Sequence, residues 1–296
     1  MGNIGIIAKP VRILHLYHDL MNLYGDWGNT DILSRALVTR GCSAPVDKKS
    51  VGDSVDFGAY DFVHIGSGTE RSQRACMADL ARHKTALIAY IESGGLFLAT
   101  GNSHELFGHA ITDATGQRYE TLGLLDFETI QNDTRLTGDS VVRADFLSDK
   151  LLGFVNRAGG SQTGEVARPF SVELGPGAGS TAASGAGTGK SAITGSGSGS
   201  GSSSGYEGIR YKNLLGTYLT GPVLIRNPPL LRYFADELCS CTTPSSVIAA
   251  SAPQSPEKTS TTHGIAGQAR NDELLFDSLE AAYQKALVEL SARIGL

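Results

Sequence analysis

The sequence predicts an α/β domain built on a mostly parallel sheet flanked by helices. Three observations predict it. Apolar runs suited to buried strands recur at residues 11–17, 60–65 and 96–100. Each is followed by a turn of small or polar residues, and each turn leads into a segment with helical spacing. Strand–loop–helix units in series imply a sheet covered on both faces, with a site at the carboxyl ends of its strands.

In chain order, Val11 to Tyr17 alternates like a strand, and Asn22, Gly25, Asp26, Gly28 and Asn29 form a loop. A short helix is expected over 32–38, ending at Gly41. The strand over 60–65 stops at Gly66-Ser67-Gly68, a turn that frees backbone N–H groups at the sheet edge. Helices are expected over 71–82 and 86–92, before the strand at 96–100. After Gly116 the pattern becomes shorter and more β-like, at 123–127, 136–142 and 153–154. Another strand is expected over 213–219, and Asn227-Pro228-Pro229 starts a helix carrying Leu230, Leu231, Phe234 and Leu238. The predicted domain spans 11–240. Its insertion at 175–205 is almost wholly Gly, Ser, Ala and Thr, which bury too little apolar area to offset ordering entropy. A second polar linker is expected over 242–270. A last helix over 272–294 follows, with Leu275, Leu279, Tyr283, Leu287 and Leu290 on one face.

At 296 residues the chain has ample length for a core of roughly 200 residues or more. The net charge of −5, with basic residues spread out, argues against a nucleic-acid or anionic-membrane surface. Cys42, Cys76, Cys239 and Cys241 lack zinc-type spacing and are expected as reduced thiols, without disulfide or metal use. No apolar run approaches the roughly 20 residues that span a bilayer. Residues 1–10 lack the features of a secretion signal, so a cytoplasmic location is expected, with no cofactor and no metal site.

The segment Leu96-Phe97-Leu98-Ala99-Thr100-Gly101-Asn102-Ser103-His104-Glu105-Leu106-Phe107-Gly108 has the layout of a nucleophile elbow: buried strand, tight turn, then helix. Its turn residue, Gly101, has no side chain. Ser103 and His104 are poorly placed to replace a nucleophile and base, because adjacent helical side chains do not face each other. His15, His18 and His64 are expected as strand-end or core histidines. Asp19, Asn22, Asp26 and Asn29 read as a loop-fixing set or a partner-facing loop.

Five segments in order carry a family resemblance. They are Leu20-Met21-Asn22-Leu23-Tyr24-Gly25-Asp26-Trp27-Gly28-Asn29; His64-Ile65-Gly66-Ser67-Gly68-Thr69-Glu70-Arg71; the elbow from Gly101 to Gly108; Gly123-Leu124-Leu125-Asp126-Phe127 through Thr134-Arg135-Leu136-Thr137-Gly138-Asp139; and Glu207-Gly208-Ile209-Arg210-Tyr211 through Thr217-Tyr218-Leu219-Thr220-Gly221-Pro222. Together they resemble the glutamine amidotransferase subunit of lipid II isoglutaminyl synthase, a class I amidotransferase of the cobyric acid synthase type. The resemblance implies a flavodoxin-like class I amidotransferase domain that hydrolyses glutamine. It also implies a Mur-ligase-like, ATP-using partner that receives the ammonia and amidates the D-glutamate α-carboxyl of the lipid II stem peptide. The family elbow begins Cys-Gly-Gly, and its last motif ends Leu-His-Gly-Pro. Gly101 therefore stands at the nucleophile position and Thr220 at the base position, so neither catalytic residue is intact. Glu105 replaces a family Gln. A segment resembling Gly-Phe-Glu-Asn-His-Gly-Gly-Arg-Thr runs here from Gly153 through Phe154, Val155, Asn156, Arg157 and Ala158. Arg135 stands at a substrate-binding arginine, suited to clasp a carboxylate. Backbone N–H groups at Gly66, Ser67, Gly68 and Asn102 are the expected oxyanion donors. Three functions stay open on this reading: a degenerate subunit that scaffolds or regulates its ligase partner, an active glutaminase working through other residues, and a non-catalytic sensor of glutamine or a related amino acid.

Overall fold

The computed structural model describes residues 10–176, 205–240 and 263–294. The chain opens with β1 (Ile13–Leu16), α1 (Trp27–Thr39), β2 (Val46–Lys49), β3 (Phe62–Ile65), α2 (Glu70–Leu80), α3 (Lys84–Glu92) and β4 (Leu96–Thr100). A 3-10 helix, Gly101–Phe107, leads into β5 (Ala110–Thr112), β6 (Arg118–Glu120), β7 (Phe127–Ala144), β8 (Lys150–Gly164) and β9 (Phe170–Leu174). Then come β10 (Gly205–Glu207), β11 (Ile209–Tyr211), β12 (Leu214–Thr217), β13 (Leu219–Thr220), α4 (Val223–Arg226), α5 (Pro228–Ser240) and α6 (His263–Ile294).

The first sheet has six strands in the order β11-β12-β4-β3-β1-β2. Every pairing in it is parallel except β11 with β12. Alternation along the buried strands builds two cores. Ile13, Phe62, Leu96, Leu98 and Leu215 face α1 and α5, packing on Leu33, Leu37, Leu231 and Phe234. Leu14, Leu16, Val63, Ile65, Phe97 and Leu214 face α2 and α3, packing on Cys76, Leu80, Leu87 and Ile91. Burial on both faces explains why these strands read as apolar runs rather than as clean alternation. A helix start is fixed at Thr69, whose hydroxyl caps α2 by accepting from the Ser72 N–H at 3.1 Å.

The second sheet departs from the expected single parallel layer. Its strands run β10-β9-β7-β5-β6, with β8 joined to β7 and β13 to β8. What read as short β pieces after Gly116 is dominated by the long antiparallel pair β7 and β8, broken by a bulge between Asn132 and Arg135. One face of β7 is exposed over much of its length, which erased the apolar signal. Residues 123–126 are not strand. The Gly123, Leu124 and Leu125 N–H groups instead bond back to Gly108 and Phe107 carbonyls at the elbow. The elbow is followed by a 3-10 rather than an α-helix, ending as the Gly108 N–H reaches the Glu105 carbonyl.

Within the expected insertion, residues 177–204 lie outside the described residues, as do 241–262 of the expected linker. The last helix starts at His263, inside the linker predicted over 242–270 and ahead of the start predicted at 272. Ser, Thr and Pro thin out after Thr262, and Ala266, Gln268, Ala269 and Arg270 are good helix formers. Buried Tyr283 anchors α6 by donating its hydroxyl to the Lys150 carbonyl at 2.7 Å. No helix among the described residues is long and apolar enough to cross a membrane.

Asn227 joins the two sheets' helical end to β8. It is fully buried, accepts from the Leu152 N–H at 2.7 Å, and donates to the Leu152 and Val223 carbonyls, each at 2.8 Å. Asn227→Ala strands three buried backbone groups and is expected to cost about 3 kcal/mol, read as a lowered urea midpoint with an unchanged slope.

Candidate functional site

The end of β4 carries Gly101 at a φ of +61°, the left-handed region that glycine adopts without strain. A Cβ placed on Gly101 would lie 3.3 Å from Thr220 Cγ2 and 2.4 Å from Ser67 Cβ. The positions matched to nucleophile and base are therefore neighbours at the carboxyl edge of the parallel sheet. Ser67, from the turn after β3, fills the space that a side chain at position 101 needs. The Thr220 hydroxyl is turned away, donating to the Phe154 carbonyl at 2.6 Å.

Asp26 fixes this corner. Its carboxylate, fully buried, accepts from Ser67 Oγ at 2.7 Å and from Thr100 Oγ1 at 2.8 Å. The rest of the loop set is also spent on structure. Asn22 Oδ1 accepts from the Trp27 N–H at 2.9 Å, Asn29 Oδ1 from the Leu224 N–H at 2.9 Å, and Asp19 Oδ1 from the Ser50 hydroxyl. His64 donates from Nδ1 to the Leu98 carbonyl at 2.9 Å, and its Nε2 accepts from Asn29 Nδ2 at 3.3 Å. Burial pulls its pKa down, although Asp26 opposes this. His15 is fully buried, and burial together with His64 lowers it to about 2. Both are neutral histidines of the sheet core.

The expected oxyanion turn is partly occupied. The Gly68 N–H donates to Asn102 Oδ1 at 3.1 Å, so that donor is satisfied internally. The Ser103 hydroxyl lies 2.8 Å from the Thr100 carbonyl and 3.0 Å from that of Ile65. His104 donates from Nδ1 to the Gly101 carbonyl at 2.8 Å, and burial lowers its pKa to about 3. Neither side chain replaces a nucleophile or base at position 101.

Arg135 lies beyond the β7 bulge, beside α2. Its Nη1 pairs with Glu70 at 2.7 Å and its Nε donates to Asn156 Oδ1 at 2.9 Å. Asn156 in turn donates to Tyr24 Oη at 2.6 Å, which ties the arginine to the loop before α1. Burial works against the Glu70 carboxylate, but Arg135 holds it below its ordinary range. Arg135, Glu70, Arg74, Asp113, Gln131 and Asp133 line an open cleft of about 350 Å³. The arginine expected to clasp a substrate carboxylate already has a carboxylate partner.

A polar cluster that the sequence did not reveal lies behind the elbow. Buried Glu105 accepts from Tyr218 Oη at 2.8 Å, Gln73 Nε2 at 2.9 Å and Gln131 Nε2 at 3.1 Å. Burial raises its pKa against those bonds and against the charge of Arg157. The Arg157 guanidinium lies 4.4 Å from the centre of the Tyr218 ring, and the His104 ring meets the same tyrosine edge-on at 4.3 Å. Glu207 accepts from Thr217 Oγ1 at 2.6 Å and from the Tyr218 N–H at 2.7 Å. Glu105 and Arg157 stand where the family resemblance implies Gln and His. The two departures, far apart in sequence, thus bring opposite charges to one tyrosine.

The CobB/CobQ-like glutamine amidotransferase domain matches residues 12–228 of this chain. The chain belongs to that family. Among curated relatives, the GatD subunit of lipid II isoglutaminyl synthase (glutamine-hydrolyzing) from Staphylococcus aureus strain N315 is 30% identical over 229 residues, covering 77% of this chain and 84% of that protein. The subunit of the same name from Streptococcus pneumoniae strain ATCC BAA-255 / R6 is 29% identical over 228 residues, covering 76% and 79%. A crystal structure of a glutamine amidotransferase aligns with 76% of this chain and 98% of its own, at 12% identity and a TM-score of 0.44.

Two measurements test this geometry. Gly101→Ala meets both a positive φ and the Ser67 side chain, and is expected to cost about 2–4 kcal/mol. Adding Ser67→Gly should recover the steric share, so a double-mutant cycle will show favourable coupling of about 1–2 kcal/mol. Burial pushes the Glu207 carboxyl from 4.5 up to about 7. Because the folded-state value is the higher one, its contribution to stability is full below the unfolded-state pKa and is lost as pH rises through the folded-state pKa. Relative to Glu207→Gln, the unaltered protein should lose on the order of 3 kcal/mol of unfolding free energy from about pH 4.5 to 7.5, measured by denaturant titration at each pH.

Proposed function

We propose that this chain is a glutamine amidotransferase-like subunit of a lipid II isoglutaminyl synthase type complex, without glutaminase activity of its own. It docks on a Mur-ligase-like, ATP-using partner in the cytoplasm and scaffolds or regulates it, while the ammonia comes from free solution or another source. Family membership and the two GatD relatives support the machinery. The observation that carries the loss of activity is the corner itself, where Gly101 has no side chain and Ser67 occupies the space one would need. Amide hydrolysis by this route needs a thiolate to attack and an imidazole to move protons. Gly101 offers no nucleophile, and a threonine hydroxyl at position 220 is no base near neutral pH. In a serine protease, loss of either nucleophile or base alone lowered turnover on the order of a millionfold.

A second reading, an amino-acid sensor, has one observation in its favour: Arg135 lines an open cleft. A ligand carboxylate must then displace Glu70 from that guanidinium.

The purified chain, alone and mixed with its cognate ligase, is expected to release no ammonia from glutamine above a heat-treated control. The ligase should co-purify with it and use added ammonium. Turnover of glutamine would overturn the proposal. Glutamine binding by calorimetry without turnover, lost in Arg135→Ala, would favour the sensor.

A further inference from the structure

Cys42 and Cys239 meet on the helical layer that covers the first sheet. Gly41, at a φ of +82°, ends the turn after α1, and Cys42 follows it. Cys239 lies in the last turn of α5. Their sulfurs are 3.8 Å apart across a sequence separation of 197 residues, and both thiols pack half-buried against the same apolar core. A second contact holds the two helix ends in register: Arg40 Nη1 pairs with Asp236 at 2.8 Å, one residue before Gly41 and one turn before Cys239. Sulfurs in a disulfide lie about 2.05 Å apart, so closure needs an approach of about 1.8 Å, within reach of side-chain rotation and a small backbone adjustment. Cys76 offers a contrast. It is fully buried in the opposite core, and burial pushes its thiol up to about 12, so it stays protonated and unreactive.

We propose that Cys42 and Cys239 form an oxidant-responsive thiol pair that closes into an intramolecular disulfide by exchange with a small-molecule disulfide, stapling the end of α1 to the last turn of α5. One cysteine thiolate attacks a sulfur of the small disulfide, forming a mixed disulfide and releasing one thiolate. The second cysteine thiolate attacks the protein sulfur of that mixed disulfide and releases the other. The protein dithiol is oxidised by two electrons, the small disulfide is reduced to two thiols, and the two cysteine protons go to solvent or to the departing thiolates. The staple closes a long loop, which restricts the unfolded chain more than a short one. It also pins α1, the helix whose start carries Asp26 to the elbow. This inference stands on the helix geometry and is independent of the proposed function.

The test equilibrates the full chain in glutathione buffers from fully reduced to fully oxidised. It then traps thiols with N-ethylmaleimide and maps unreduced peptides by mass spectrometry. A peptide joining Cys42 to Cys239 is expected at the oxidised end, reversed by dithiothreitol. The oxidised protein should melt about 10 °C higher than the reduced one. That shift should vanish in Cys42→Ala and Cys239→Ala and persist in Cys241→Ser and Cys76→Ala. Alkylation of Cys42 at every buffer ratio would overturn the proposal, as would a bridge that uses Cys241 in place of either partner. The peptide map of the unaltered chain decides the matter even if a cysteine variant fails to fold.

Discussion

One buried carboxylate, that of Asp26, holds the three chain segments on which the elbow rests. It belongs to the residue that precedes α1, and it receives the Ser67 hydroxyl from the turn after β3 and the Thr100 hydroxyl from the end of β4. A carboxylate without partners at such a site would be very costly to bury. With two hydroxyl donors and the positive end of the α1 dipole nearby, it becomes a cross-link at the carboxyl edge of the sheet. Parallel strands are joined only by long crossovers, so their ends have no local turn to fix them in relation to one another. Asp26 supplies that fixing at the residue just before Gly101.

The polar cluster behind the elbow is also centred on a buried carboxylate, that of Glu105. The Glu105 carboxylate accepts from Tyr218, Gln73 and Gln131. Arg157 brings the opposite charge to the other side of Tyr218, and its planar guanidinium stacks where a compact ammonium would not. Buried ion groups seldom add stability over an apolar equivalent, but removing one partner alone is severe. Here the two groups share Tyr218 without a direct ion pair, and the Arg157 charge acts on Glu105 through space. Fifty-two residues apart in sequence, they meet at one tyrosine in space.

The legible part of this fold was the part buried on both faces. β1, β3 and β4 stood out as apolar runs, and Leu96–Thr100 had the bounds expected of it. β2, with Val46, Asp47, Lys48 and Lys49, lies at the sheet edge and carries charge, so neither period nor composition marked it. The long β7–β8 pair was read as fragments because its register is interrupted at Asn132 and its outer face is polar. At the site, spacing alone could not join Gly101 to Thr220; the family resemblance did. Nor could the sequence show that Ser67 fills the corner, because that contact depends on how two sheet ends approach. Nor was it legible that the Asn102 side-chain oxygen accepts from the Gly68 N–H, because that bond joins the turns after two different strands.

These contacts sort the elbow's residues by what each must do. A turn at the end of a buried strand needs backbone freedom at its tip, anchored strand ends and packed flanks. Gly101, Asp26 and the Ser103 hydroxyl meet those needs without reference to any substrate. A hydrolytic elbow needs more: an empty volume beside the tip, open N–H donors facing that volume, and a base directed into it. Ser67 fills the volume, Asn102 engages a donor, and the Thr220 hydroxyl faces a carbonyl. The last two contacts satisfy polar groups that a working site would leave open, and unpaired donors at such a site must be sustained by the rest of the fold. If hydrolysis is absent, as we propose, nothing requires this corner to stay open. The contacts that hold the turn are thus separate from those that a hydrolytic elbow would use.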